Sequence, residues 1–159
     1  MKKIIQMLLI ACLVVLGTQV AFANSDKVTV QEGADLTAVH RLAIGSPLYM
    51  QVDPKSPNKD MLTQIVYESS RVARCYVISY DTIAQNIKAD QNIDLKALDR
   101  RTAAKDFKQY VGNYADAYVI LTVANDSRTT FFFDVYKAGT NELLYTYQIQ
   151  ANRSEGDTV

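Results

Sequence analysis

Tryptophan is absent from this chain of 159 residues, histidine occurs once and cysteine twice. A transition-metal centre gathers several imidazoles or thiolates, and past the amino-terminal leader only His40 and Cys75 remain to supply them. No metal or other cofactor is expected. Acidic and basic residues balance at 17 each, so the basic excess by which a general nucleic-acid binder neutralises phosphates is missing too. There is no G-x-G-x-x-G, no Walker loop, no C-x-x-C and no H-E-x-x-H. Gly45-Ser46-Pro47 is not a G-x-S-x-G elbow, because proline stands where a backbone donor is needed. No internal repeat or low-complexity tract is visible.

What is present begins with a leader. Lys2 and Lys3 form a positive start, and residues 4–16 are apolar apart from Gln6. Ala21 and Ala23 supply the small residues that a signal peptidase reads, with Asn24 as the first mature residue. The uninterrupted apolar run 7–16 falls short of the ~20 residues that cross a bilayer, and none is expected in the mature chain. Two alternatives use the same residues: a retained anchor, and a lipoprotein signal read from Leu9-Ile10-Ala11-Cys12. Against the second, the apolar run continues through Cys12 where a lipidated cysteine normally opens a polar tether. The product is therefore expected to be exported, periplasmic or extracellular, with outer-membrane tethering through Cys12 as the alternative.

Cleavage after Ala23 leaves residues 24–159, the size of one domain, large enough for a core without disulfide or metal staples. Loss of the two leader lysines moves the net charge from zero to −2. Only Cys75 survives, which excludes an intramolecular disulfide. Residues 24–40 read as a polar arm with a short strand at Val28-Thr29-Val30, 41–152 as the domain, and 153–159 as a polar tail.

Within the domain, the pattern predicts a strand over 41–45 that bends at Pro47 and extends toward 52. Ser56 and Pro57 resemble a helix start, and apolar spacing of three and four predicts a helix over 58–74. A strand over 75–80 follows, then a helix over 82–88 capped by Asp81, then a longer, kinked helix from Asp94 to about Tyr114. Residues 117–123 are apolar on both faces, as in a central strand. Strands over 128–136 and 142–150, joined by a turn at 137–141, complete the chain. The fold class is α/β (α+β mixed) with order β-α-β-α-β-β-β. Three strands are joined in parallel by helical crossovers that cover a sheet face, and an antiparallel meander completes the sheet.

Few residues are candidates for function. Cys75 and His40 form an arithmetically possible nucleophilic pair, but Cys75 lies in an apolar strand, where a buried thiol is inert. Asp94, Asp99 and Asp106 read as caps and helix-surface residues rather than an acid–base set. Arg101, Lys105 and Lys108 share a helical stripe, read either as a solvated face or as a surface for an anionic partner. Alternation directs Phe131 and Phe133 inward and leaves Phe132 and Tyr136 pointing away beside Asp134, either under a helix or as an aromatic patch.

Four phrases carry a resemblance: Arg41-Leu42-Ala43-Ile44-Gly45, Tyr76-Val77-Ile78, Asp116-Ala117-Tyr118-Val119-Ile120, and the hairpin from Asp134-Val135-Tyr136 to Glu142-Leu143-Leu144. With the element order, they resemble small exported domains of the Gram-negative-type cell envelope. Examples are the curli-secretion lipoprotein, the lipoprotein activators of penicillin-binding proteins, and the amino-terminal domain of the Tol–Pal translocation protein. The resemblance implies a non-enzymatic accessory domain acting on another envelope protein, and it transfers no catalytic residue. Such domains continue into a further helix where this sequence ends at Val159. A small-ligand carrier, and a small hydrolase or thiol enzyme using Cys75 or carboxylates, stand as alternatives. The sequence sets no oligomeric state.

Overall fold

The computed structural model describes residues 27–50, 58–71, 73–125 and 129–151. The expected leader with Cys12, Ala21, Ala23 and Asn24 lies outside them, as do the helix start expected at Ser56 and Pro57, Asp126 and Ser127 of a turn expected over 125–127, and the tail expected over 153–159. The described strands are β1 (Lys27–Val30), β2 (Arg41–Ile44), β3 (Leu48–Tyr49), β4 (Tyr76–Ile78), β5 (Ala117–Asn125), β6 (Thr129–Lys137) and β7 (Leu143–Ala151). They form one seven-stranded sheet in the order β1-β7-β6-β5-β2-β4, with β3 paired to β5 beyond the end of β2. The helices are α1 (Lys59–Ser70), α2 (Tyr80–Gln91) and α3 (Arg100–Tyr110).

β2 runs parallel to both β4 and β5, while β5, β6 and β7 form the antiparallel meander. Pro47 falls where the first strand breaks into β2 and β3, since it has no N–H for the ladder. Both pieces still pair with β5. The strand expected in the amino-terminal arm is β1, an edge strand antiparallel to β7.

The helices divide between the two sheet faces instead of sharing one. The chain moves outward from β2 to β4 through α1, then back across β2 to β5 through α2 and α3. Two crossovers of the same hand travelling in opposite directions must lie on opposite faces. Ile44, Val77, Val119 and Leu121 accordingly pack with Leu62 and Val66 of α1. Ala43, Ile78, Tyr118 and Ile120 pack on the other side with Ile83, Ile87 and Phe107.

Helix ends follow local hydrogen bonding. Asn58 Oδ1 accepts from the N–H groups of Asp60 and Met61, and so starts α1. Only Leu62 and Val66 of that helix are buried, while Met61 and Ile65 stay about 40% exposed, so its inner stripe is narrower than the periodicity implied. Ser79, not Asp81, caps the second helix, which reaches Gln91 and stops at Asn92 with φ 57°. The long helix expected from Asp94 is instead a turn followed by α3. Asp94 accepts from Lys96 N–H and closes a single turn, and Asp99 then captures the N–H groups of Arg101 and Thr102 to begin afresh. Two capping side chains five residues apart compete for one segment, and each takes its own turn. α3 ends in a 3₁₀ turn over Val111–Asn113.

One carboxylate ties the sheet together at the N-terminal ends of its parallel strands. Asp116, just before β5, accepts from the backbone N–H groups of Arg41 (2.8 Å) and His40 (3.1 Å) and from the Arg41 guanidinium (3.3 Å). Its burial alone would raise the pKa; the donated bonds outweigh that and hold the carboxyl below its ordinary value.

Candidate functional site

Right-handed crossovers on opposite faces leave a crevice at the C-terminal ends of the strands, where neighbouring chain segments turn away from each other. Here the segments after β2 and β4 diverge, one toward α1 and one toward α2. A cleft of about 650 Å³ occupies that position. Ser46 and Leu48 line it from the end of β2 and from β3, Ser79 and Tyr80 from the end of β4, and Thr63, Gln64 and Tyr67 from α1. The first residues of all three helices border it.

Its floor is apolar, made by Ile120, Leu95 and Phe107, each at most 7% exposed. Its rim is charged, with Lys59, Lys96, Arg100 and Lys108 against Asp60 and Asp81. Lys96 is engaged with Asp81 at 2.8 Å, and that hydrogen bond raises the lysine pKa. Arg100 sends one N–H to the carbonyl of Tyr49 at 3.1 Å, which braces α3 against β3. Tyr80 is raised chiefly by burial.

The five candidate surface residues of the two sequence-predicted patches do not form one surface. Arg101 and Lys105 are exposed on α3. Lys108 borders the cleft and sits 5.6 Å above the ring of Tyr136. Tyr136 in turn stacks on buried Tyr118 at 5.3 Å, and Tyr118 meets Phe107 edge-on at 5.7 Å. The face expected either to be helix-covered or to await a partner is thus covered at Tyr136. Phe132 lies on the same sheet face, opposite Thr122 and Gln148, and is half-buried.

The more open apolar face is the opposite one. Phe131, Phe133 and Val135 of β6 pair with Ile149, Tyr147 and Tyr145 of β7, and these continue to Val28 and Val30 of β1. Only the β6 members reach the cluster under α1. Val28 is 57% and Val30 50% exposed.

His40 and Cys75 come closer than the sequence indicated. Arg41 pairs with Tyr76 in register, and Tyr76 N–H donates to the His40 carbonyl at 2.8 Å, so the two residues flank the start of β2 and β4. Burial nevertheless pushes the Cys75 thiol up, the reverse of what activates a nucleophile. Asp94 pairs with Lys88 at 2.6 Å and Asp99 caps α3, both with carboxyls held low first by side-chain hydrogen bonds. Among the described residues, no three His, Cys, Asp or Glu side chains form a group that could hold a metal, and no helix is long and apolar enough to cross a membrane.

Sequence reasoning missed the cleft. The signal was the placement of Ser46 and Ser79 at the ends of two strands whose helices leave in opposite directions, and topology had to be known before it could be read.

No protein-family model matches this chain, and no curated protein sequence does. Solved structures do. The C-terminal domain of LpoB from Escherichia coli superposes with a TM-score of 0.55 at 15% identity, over 77% of this chain and 90% of that one. Its counterpart from Salmonella enterica gives 0.53 at 14% identity, over 76% and 88%. Lipoprotein GNA1162 from Neisseria meningitidis gives 0.55 at 11%, over 75% and 86%. The chain therefore shares its fold with small envelope lipoprotein domains, including the penicillin-binding-protein activator type named on sequence grounds.

Proposed function

We propose that this chain is an exported, non-enzymatic accessory domain of the cell envelope that works through contact with another protein. The observation that carries the reading is the open face of β6, β7 and β1. Val28, Val30, Phe133, Val135, Tyr145, Tyr147 and Ile149 form a continuous surface without a single charge. Aromatic and aliphatic side chains on a rigid sheet suit an apolar protein surface. They do not suit nucleic acid or anionic lipid, which are held by cations. The fold shared with envelope lipoprotein domains and the leader sequence ending at Ala23 point the same way. A leader cut after Ala23 gives a free domain, whereas lipidation of Cys12 would tether it.

A photo-crosslinking residue at Phe133, introduced in the producing cell, tests the contact. The expected result is one discrete crosslinked envelope protein that is absent when the same residue replaces exposed Gln64 of α1. Equal crosslinking from both positions, or none from Phe133, refutes this surface as the contact site.

A further inference from the structure

The cleft at the ends of β2 and β4 is separate from the open sheet face, and its chemistry points to a different occupant. We infer that it binds a small amphipathic anion, a molecule with a compact apolar body and one carboxylate, sulfonate or phosphate group. Three properties of the site converge on this class.

The first is size and place. A volume of about 650 Å³ lies within the range of small-molecule sites, and a crevice outside the carboxyl ends of parallel strands is where open α/β sheets hold ligands. The second is the floor. Ile120, Phe107 and Leu95 are closed to solvent from below and present an apolar base, and Ala103 and Ala104 keep the α3 wall low. Small side chains there leave room that a larger residue would fill.

The third is charge. The Lys96–Asp81 pair cancels, which leaves Lys59, Arg100 and Lys108 against Asp60 around the rim. Arg100 uses one donor on Tyr49 and retains the rest of its guanidinium fork, a geometry suited to a planar or tetrahedral anion. The starts of α1, α2 and α3 border the same space, so their dipoles add to the positive potential. The side chains of Asn58, Ser79 and Asp99 already accept from the first N–H groups of these helices. Selectivity for the anion accordingly falls to the side-chain cations.

The test uses the chain from Asn24 to Val159 and the fluorescent probe 8-anilinonaphthalene-1-sulfonate, whose apolar rings and single sulfonate match the class. Its uncharged analogue N-phenyl-1-naphthylamine separates charge from apolarity. Saturable binding of one sulfonate probe per chain is expected, weakened about tenfold by Ala104→Trp, which fills the cleft, and about threefold or more by Arg100→Gln. The uncharged analogue should bind more weakly than the sulfonate, and Val28→Ser on the open sheet face should leave binding unchanged. Circular dichroism melts establish that each variant is folded. If Ala104→Trp is not, Arg100→Gln on its exposed side chain decides the matter alone. The inference is overturned if the sulfonate does not bind, or if folded cleft variants bind it as the parent does. Equal affinity for the uncharged probe, or loss of binding in folded Val28→Ser, overturns it as well.

Discussion

Replacing Asp116 with alanine removes the clamp that holds the start of β2 to the start of β5. Three bonds are lost, two from backbone N–H groups at 2.8 and 3.1 Å and one from the Arg41 guanidinium at 3.3 Å. The Arg41 side chain is 49% exposed, so water and salt screen its share to nearly nothing. The backbone bonds to a carboxylate carry the effect, and their loss should cost about 2 kcal/mol, or about 7 °C in Tm for a domain of this size. Asp116→Asn keeps one acceptor oxygen and should recover about half of that.

The pH dependence is diagnostic. The carboxyl titrates lower in the folded chain than in the unfolded one, so its contribution is present above the unfolded value and is lost as pH falls through the folded value. Urea unfolding followed by circular dichroism should therefore give a gap between parent and Asp116→Ala that is full near pH 7 and shrinks toward pH 3. A gap below about 0.5 kcal/mol at neutral pH would show that the bonds are not worth their geometry. A gap that stays constant down to pH 3 would show that the carboxylate's charge is not what holds the strands.

Other consequences follow from single contacts. In Gly45→Ala the added Cβ would overlap Ile120 Cδ1 and lie 3.0 Å from the Val119 carbonyl, so a loss of about 1–2 kcal/mol is expected by thermal melting. Tyr118 is fully buried and its hydroxyl donates to Asn141 at 2.8 Å, so Tyr118→Phe should cost about 1 kcal/mol in urea unfolding. Burial pushes Tyr118 up to about 12, and burial followed by the Asp90 hydrogen bond does the same for Tyr114. Their stabilisation is present below the unfolded tyrosine value of about 10 and is lost as pH rises toward 12, and phenolate absorbance should show both ionising late. Lys96→Ala breaks only an exposed pair with Asp81, which water and salt screen, and should leave the thermal midpoint unchanged within the error of a melting experiment.

The sheet was legible because its strands are short alternating or wholly apolar runs separated by strong turn residues. The β6–β7 hairpin illustrates this. Gly139 at φ 84° and Asn141 at φ 59° occupy conformations that these two residue types tolerate, and the loop falls where they stand in sequence. Helix starts were harder, because Ser79 and Asp81 are both good caps, as are Asp94 and Asp99. Which one wins depends on where the chain arrives from the sheet. The division of helices between two faces needs strand order, which periodicity does not encode. The cleft depends on that division, and so it was invisible in the sequence. Of the two readings left open for the Phe132 and Tyr136 face, the covered one fits Tyr136, and the more open apolar face is the opposite one. Alternation assigns Phe132 and Tyr136 to the face opposite Phe131 and Phe133, but only the packed structure shows that α3 reaches Tyr136 while the Phe133 side extends past α1.

Export underlies the proposed envelope role of this chain, and the mass of its mature amino terminus tests it most directly. The protein is purified from fractionated producing cells and its intact mass and first residues are measured. Recovery outside the cytoplasm with Asn24 as the first residue is the predicted result. A chain that retains Met1 and stays in the cytoplasm would contradict export, and a lipid-modified Cys12 at the amino terminus would contradict cleavage at Ala23.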